Sequence, residues 1–348
     1  MTASRAAASA VPPREELIHQ AWLLRRRSDA RAMVELLRDV PKEVLFEELE
    51  LAHLLSWALR EKAEYRRSLE LQLEIEPRVR VRGNDRLLRW WLLVAGTNWF
   101  YMGNSSAARD CWSECLDLAS RVDDHYSTAW AANNLGGIEV HLGRFGEALA
   151  SFQRAIAANH RMGYLRGLAL GYHNLAGLQL EEGKPHQVLS TIRRAADYAR
   201  PLNNLVLLRW HDVVRGRAYV QMGEIDPAEA LLLRASAQFA GSGAWFEQVT
   251  ALTHLGVCHR HAGRVQEARA RFAGALRLSR AIRTRLLEPL VLVQIALMKD
   301  GLGDPSGAAR AAQRARRLLE DFGGTYYLDK HLPSLSSATR ELIGESRV

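Results

Sequence analysis

The sequence predicts an all-α protein: a right-handed superhelical solenoid of antiparallel helix hairpins. The first observation behind this prediction is a step of 40 residues that returns a glycine six times between residues 103 and 303. The second is the pattern after each glycine, which places a small or β-branched aliphatic residue five positions on. In most units a large apolar residue follows four further on, and then a small residue three further. Spacings of four and three lie on one helix face, so every unit needs a helix with this buried stripe.

The unit at residues 124–163 shows the pattern most clearly, because Ala148, Phe152 and Ala155 follow Gly143. Its first helix carries the pair Leu135-Gly136, and the other units keep Gly or Ala at the second position of this pair. A glycine inside a helix costs about 1 kcal/mol relative to alanine, so its return predicts close approach of a neighbouring helix.

The 40-residue step also predicts where the second helices end. Most residues in this series are of the types that readily close a helix in the left-handed conformation, with Asp123 less typical and Arg283 breaking the series. The predicted ends are Gly83, Asp123, Gly163, Asn203, Gly243 and Gly323. Each unit is therefore expected to contain one helix before and one helix after its turn glycine.

The order Leu-Gly, turn glycine and Ala-x-x-x-Phe-x-x-Ala resembles the tetratricopeptide repeat, and the resemblance covers residues 84–323. Two features depart from the family pattern. The unit has 40 residues rather than about 34, and the early tryptophan and late proline are missing. Units of this length are similar to repeats in sensor domains of bacterial regulators. The resemblance implies stacked hairpins whose first helices line a concave binding groove.

Four segments are expected along the chain. Residues 1–13 form a disordered tail, and residues 14–83 form two degenerate repeats that cap the solenoid. Residues 84–323 form six repeats, and residues 324–348 form a capping helix and a tail. Within the cap, Pro41 is predicted to open a helix with an apolar face from Leu45 to Leu59, and Ala63 takes the position of the turn glycine.

The formal charge of +8 permits a second interpretation. Four arginines hold one position of the second helix, and such a ladder on the convex side could follow the phosphates of a nucleic acid. A solvated arginine face is the more ordinary explanation. These residues are Arg154, Arg194, Arg234 and Arg314.

The three cysteines do not form a disulfide framework, and Cys115 occupies a small-residue position of the repeat. No apolar run approaches the roughly 18 residues that a membrane helix requires. We therefore expect a cytoplasmic protein without membrane association. The resemblance to repeats of bacterial regulators, together with the composition, favours a bacterial origin.

The resemblance places groove positions on the first helix of each unit, on both sides of the Leu-Gly pair and at the end of the helix. Tryptophans supply anchor area and asparagines can hold an extended main chain. The candidate peptide-binding or protein-binding residues are Trp90, Thr97, Tyr101, Trp130, Asn133, Asn134, His141, His173, Trp210, Arg217 and Arg260.

Two alternatives remain open for these residues. Trp90 and Trp210 could pack between helices instead, whereas Trp130 beside Asn133 is favoured for exposure. The pair Asn133-Asn134 could hydrogen-bond to the adjacent helix rather than to a ligand.

The sequence contains no recognisable catalytic or metal-binding motif. Histidines recur on the first helices, but no Cys or carboxylate cluster completes a metal set. No nucleotide-binding loop, nucleophile elbow or catalytic triad is recognisable, so neither an enzyme nor a cofactor is expected. The sequence favours a regulatory scaffold, adaptor or sensor that binds a peptide or protein partner. The alternatives are a nucleic-acid-associated protein and, third, a self-assembling structural protein.

Overall fold

The computed structural model describes residues 13–82, 84–282, 287–322 and 324–344, and the regular structure within these ranges is helical throughout. The chain divides into a first unit, Met1–Met102, and a second unit, Gly103–Val348. The division falls in the turn of the first of the six predicted repeats. Several predictions lie outside the described residues, namely the tail up to residue 12, Gly83, Arg283, Gly323 and the last four residues.

The described residues of the first unit form six helices. The central helix α4 contacts α1, α2, α3, α5 and α6, so it forms the middle of this unit. The helices are α1 (Arg14–Arg26), α2 (Ala30–Leu37), α3 (Lys42–Glu47), α4 (Leu49–Glu61), α5 (Tyr65–Val81) and α6 (Asp85–Tyr101).

The prediction of one continuous helix after Pro41 is wrong at Glu48. This residue leaves the helical conformation, with φ −100° and ψ 76°, and separates α3 from α4. The break frees the Glu47 carbonyl, which accepts a hydrogen bond of 2.6 Å from Arg82. Arg14 also pairs with the Glu47 carboxylate at 2.6 Å. These partners are distant in sequence, so the helical period around residue 48 does not reveal them.

Ala63 extends the 40-residue register into the first unit. Its φ is +59°, the left-handed conformation that the turn glycines of the second unit also adopt. For a residue with a side chain, this conformation costs about 1–2 kcal/mol relative to the right-handed helical conformation.

We expect Ala63→Gly to raise the free energy of unfolding by about 0.5–1 kcal/mol, because relief of the strain exceeds the added freedom of the unfolded chain. Urea denaturation measures the change. The reverse control is Gly183→Ala, at φ +72° with open space around an added Cβ. This control should lose about 1 kcal/mol. A loss of stability on Ala63→Gly would contradict the assignment of strain.

The described residues of the second unit form a series of helix hairpins. Consecutive helices contact each other, and the first helices of neighbouring hairpins also contact (α8 with α10, α10 with α12, α12 with α14, α14 with α16), so the prediction of a helical solenoid is confirmed. The helices are α7 (Ser105–Ser120), α8 (His125–His141), α9 (Phe145–Met162), α10 (Leu165–Glu181), α11 (Pro185–Ala199), α12 (Leu205–Met222), α13 (Ile225–Ser242), α14 (Trp245–His261), α15 (Val265–Ala281), α16 (Glu288–Gly301), α17 (Pro305–Phe322), α18 (Tyr326–Asp329) and α19 (Ser337–Ile343).

The predicted turns of the second unit are confirmed. The six glycines of the 40-residue series all have φ between +72° and +88°. The predicted ends of the second helices at Gly163 and Gly243 have positive φ as well, and so do Asp123 and Asn203, each at φ +50°. The register therefore sets the backbone conformation even where the residue is not glycine.

Gly136 and Gly256, which lie inside first helices, have the predicted packing reason. A Cβ built on Gly136 would lie 2.6 Å from the Phe152 ring, and one built on Gly256 would lie 2.5 Å from the Phe272 ring. Both phenylalanines are the large residue of the second-helix stripe, and both are 1% exposed. In these two hairpins the second helix thus places its phenylalanine ring directly on the glycine of the first helix.

The C-terminal segment contains the helix that the sequence predicts near residues 335–343. It is α19, which contacts α17 and is held by Asp300, whose carboxylate accepts hydrogen bonds from the Ser336 backbone N–H at 2.8 Å and from the Thr339 hydroxyl. Leu328, Leu332 and other apolar residues of this segment join the core of the last hairpin.

Cys115 is fully buried at its small-residue position, as predicted. Among the described helices, none combines the length and the apolar character needed to cross a membrane.

Candidate functional site

The second unit encloses a cavity of about 290 Å³ whose walls come mainly from the first helices of successive hairpins. The 40-residue register explains this arrangement, because equivalent positions of α8, α10 and α12 stack into columns along the wall. One column contains Gly137, Gly177 and Arg217, and another contains His141 and Glu181. A third column contains Trp210, Thr250 and Leu290.

An ionic cluster lies on one wall of the cavity. The Glu181 carboxylate pairs with Arg217 at 2.8 Å and with Lys330 at 2.7 Å. Burial alone would raise the pKa of Glu181, but the two cations and their hydrogen bonds outweigh burial and lower the pKa. Glu181 is therefore ionised at neutral pH, and two cations from different parts of the chain hold it in place.

The cavity histidines are neutral at pH 7. Burial lowers the pKa of His141, His173 and His254 below the ordinary value of 6.5, and the charge of Arg217 lowers it further for His173 and His254. The His173 ring stacks on Trp210, with ring centroids 4.8 Å apart and an interplanar angle of 5°. Together these rings form a flat, uncharged surface.

A smaller pocket lies beside the cavity. It is lined by Trp130, Asn133 and Leu170, together with Asn159 and Gly167. The Asn133 side-chain oxygen accepts a hydrogen bond of 2.9 Å from Asn174 on α10. Asn133 therefore bonds to the adjacent helix, which is the alternative that the sequence left open. The side-chain oxygen of Asn159 is buried and has no hydrogen-bond partner among the described residues.

The sequence-predicted residues are thus divided between several places. His141, His173, Trp210 and Arg217 meet at the cavity, and Trp130 with Asn133 lines the smaller pocket. Arg260 is half-buried on α14 beside His261 and is not among the cavity walls, nor is half-buried Asn134.

Three predicted residues belong to the first unit. The Trp90 ring contacts the Trp22 ring at a centroid distance of 5.5 Å and the His53 ring at 5.8 Å, so it packs between helices there. Tyr101 stacks on Tyr65 at 4.5 Å, and the Thr97 hydroxyl donates to the Leu93 carbonyl of its own helix. A binding role for these three residues stays a prediction.

The arginine ladder is largely engaged within the chain. Arg194 donates to the Tyr172 hydroxyl at 2.7 Å, Arg234 pairs with Asp212 at 3.1 Å, and Arg314 pairs with Glu288 at 2.6 Å. Arg154 is exposed. The two ion pairs, of Arg234 and of Arg314, leave less positive charge for a polyanion than the sequence suggests.

Sequence reasoning missed several cavity residues. Thr250 and Leu290 lie 40 and 80 residues after Trp210, so the register contained a signal for both. Asn174 likewise lies 40 residues after Asn134. Tyr326 and Tyr327 come from the C-terminal segment, and no local pattern could have placed them at the cavity.

Across the described ranges, no group of three or more His, Cys, Asp or Glu side chains could hold a metal ion.

Residues 86–159 and 247–321 match the tetratricopeptide repeat family. A comparison with curated proteins by sequence gives no match.

Solved structures with a similar fold include a Rap protein complexed with competence and sporulation factor. It is 16% identical over 95% of this chain and 98% of that chain, with a TM-score of 0.67. The Rap conjugation gene regulator of plasmid pLS20 in complex with the Phr* peptide is 12% identical over 92% of this chain and 97% of that chain, with a TM-score of 0.63. The apo form of RapI is 11% identical over 77% of this chain and 98% of that chain, with a TM-score of 0.62. At these identities the likeness concerns the fold alone. The family match, the helix hairpins and the common register agree, so residues 86–159 and 247–321 carry tetratricopeptide repeats of a long, 40-residue type.

Proposed function

We propose that this chain is a non-enzymatic interaction protein that binds a peptide, or a peptide-like segment of a partner protein, in the cavity of the second unit. The observation that carries the proposal is the cavity itself, whose walls repeat the same first-helix positions over α8, α10, α12 and α14. Two proteins of similar fold are described in complex with a competence and sporulation factor and with the Phr* peptide. We extend the proposal to a regulatory role, in which peptide occupancy alters a partner interaction.

The wall chemistry suits a peptide. Gly137 and Gly177 have open space where a Cβ would stand, so a ligand main chain can approach the helix closely there. Trp210 stacked with His173 offers a flat apolar surface, and Arg217 with Glu181 offers charge. Rigid aromatic anchors beside a few polar groups are typical of peptide-binding grooves.

Catalysis is not part of this proposal. An acid or base works best with a pKa near the operating pH. The pKa of Glu181 is lowered by its two cations, and burial lowers the pKa of the cavity histidines. Three cysteines in a chain of 348 residues do not make a disulfide framework, which favours a reducing, cytoplasmic setting for the protein.

The test is selection of binders from a displayed library of random peptides, followed by affinity measurement with Gly177→Leu. Leucine at residue 177 would fill the cavity, because nothing now lies within 4 Å of a Cβ there. We expect the selected peptides to bind this variant at least about tenfold more weakly than wild type, a difference of about 1.4 kcal/mol.

The matched control is Gly241→Leu, which also adds leucine to a helical glycine in open space but lies on α13, away from the cavity. It should bind like wild type. The proposal would be refuted if the selected peptides bound Gly177→Leu as tightly as wild type, or if the library yielded no binding peptide. Binding of nucleic acid with a steep salt dependence and sensitivity at Arg154 would favour the nucleic-acid alternative.

A further inference from the structure

The C-terminal segment of residues 324–332, named here the clasp, reaches from the last hairpin to the second and third hairpins of the series. Its Lys330 ammonium group pairs with the Glu181 carboxylate at 2.7 Å, although the two residues are 149 positions apart. Tyr326 and Tyr327 stand among the cavity walls. The chain thus places part of itself in the site proposed for a peptide.

The clasp contacts the turn between α8 and α9 through Tyr326. Its ring lies edge-on to the Phe145 ring, with centroids 5.5 Å apart. A Cβ on Gly143 would lie 2.6 Å from the Tyr326 ring, so the tyrosine lies directly against this turn. Tyr327 is held from the other side, where its hydroxyl accepts a hydrogen bond of 2.9 Å from Gln294 on α16.

The two faces of the clasp are held with unequal strength. Leu328 is fully buried and Leu332 is 8% exposed, and both belong to the core of the last hairpin. The opposite face contacts α8–α10 through the Tyr326 ring, through Gly324 and through the ammonium group of Lys330, whose side chain is 30% exposed. Because the lysine side chain remains partly exposed, its ammonium group can return to water when the pair opens, and the carboxylate keeps its second cation. The contact with α8–α10 is therefore the one that can open while the clasp stays attached to the last hairpin.

The chemistry at this contact is specific. Glu181 is the one carboxylate among the described cavity walls, and Lys330 shares it with Arg217. When Lys330 leaves, Glu181 loses one of its two cations and the space beside Phe145 loses an aromatic ring. A ligand that restores both contacts must carry an aromatic side chain and a cation at a similar separation.

We propose that the clasp is an internal pseudo-ligand, and that the external ligand is a peptide with an aromatic and a basic side chain about one helical turn apart, which replaces Tyr326 and Lys330. This proposal rests on the proposed function and specifies the ligand class of the same cavity. The ligand competes with the clasp for Glu181 and for the aromatic position beside Phe145.

The experiment uses the full chain and a fluorescein-labelled peptide with the sequence of residues 325–332, Thr-Tyr-Tyr-Leu-Asp-Lys-His-Leu. We expect Lys330→Ala to bind this peptide at least tenfold more tightly than wild type, because the internal competitor is weakened. A second peptide with glutamate in place of its lysine should not bind. Adding Glu181→Gln to the Lys330→Ala chain should abolish the preference for the basic peptide.

The matched control chain is Lys299→Ala, which removes a lysine from a surface pair with Asp304 at 3.4 Å and does not touch the cavity. It should bind the peptide like wild type. Hydrogen exchange of amides 324–332 provides a second readout that requires no ligand. Exchange should accelerate in Lys330→Ala and remain unchanged in Lys299→Ala. The basic peptide should accelerate it further in Lys330→Ala, because the bound peptide displaces the clasp.

The outcomes separate the two proposals. Equal peptide affinity for wild type and Lys330→Ala, or equal affinity for the basic and acidic peptides, overturns the pseudo-ligand assignment while leaving the Gly177→Leu test untouched. Unchanged exchange in Lys330→Ala shows that the clasp is a permanent structural cap and also overturns it. Faster exchange without binding of either peptide overturns the ligand class, and the library selection then decides whether the cavity binds peptides at all.

Discussion

Phe152→Ala is expected to lower the free energy of unfolding by about 3–5 kcal/mol, and Gly136→Ala by about 1–3 kcal/mol. The two residues face each other across one hairpin. The Phe152 ring is 1% exposed, and a Cβ on Gly136 would come within 2.6 Å of it. The first change leaves a cavity, and the second forces the ring out of its position.

The double variant is the decisive measurement, because the alanine methyl group at residue 136 would occupy part of the space vacated by Phe152. We expect the two losses to be strongly non-additive in urea denaturation, with the double variant more stable than the sum predicts. The control is Gly137→Ala, which meets nothing within 4 Å and should gain up to about 1 kcal/mol from helix propensity. Additive losses would show that the glycine serves another purpose.

Acid is expected to destabilise the second unit well above the pH at which carboxylates are protonated. Burial lowers the pKa of His211 to about 4, from an ordinary value of 6.5. Between these values the unfolded chain binds a proton that the folded chain excludes, so stability falls as the pH falls from about 6.5 to 4. One histidine of this kind costs about 1.4 kcal/mol per pH unit in that window. The adjacent Asp212 acts in the opposite direction but does not cancel burial.

His211→Phe tests this expectation, because phenylalanine keeps a ring beside His173 but binds no proton. The loss of stability between pH 7 and pH 4.5 should be smaller in this variant by about 1–3 kcal/mol. The control is His186→Gln, at an exposed position on α11, and it should follow the wild-type pH profile. Identical profiles for His211→Phe and wild type would exclude His211 as the source of the acid sensitivity.

The stacked hairpins were readable from the sequence because each unit packs chiefly on its neighbours, so one local pattern had to repeat. The turn at Asp123 shows how far this reasoning extends, since an aspartate adopts the glycine conformation when the register demands it. The same register predicted that a neighbouring helix packs closely against Gly136. It failed at Glu48, where Arg82, which is distant in sequence, donates a hydrogen bond to the backbone carbonyl of Glu47 beside the break.

The cavity was predicted only in part. The columns containing His141, His173, Trp210 and Arg217 follow from the register, because equivalent helix positions face the same side of stacked hairpins. The hydrogen bond between Asn133 and Asn174 could not be predicted from the sequence. An asparagine that holds a ligand and one that bonds to the adjacent helix look the same in the sequence.

By itself the sequence determined the repeat, its turns and the helices that line the cavity, because these depend on spacings within one hairpin or between adjacent hairpins. Only the tertiary structure decided what closes the cavity. The contact of Lys330 with Glu181 depends on the summed rotation of several hairpins, which brings the last of them to the second and third. No local periodicity encodes that sum, so a segment that resembles an ordinary terminal cap in sequence becomes part of the site.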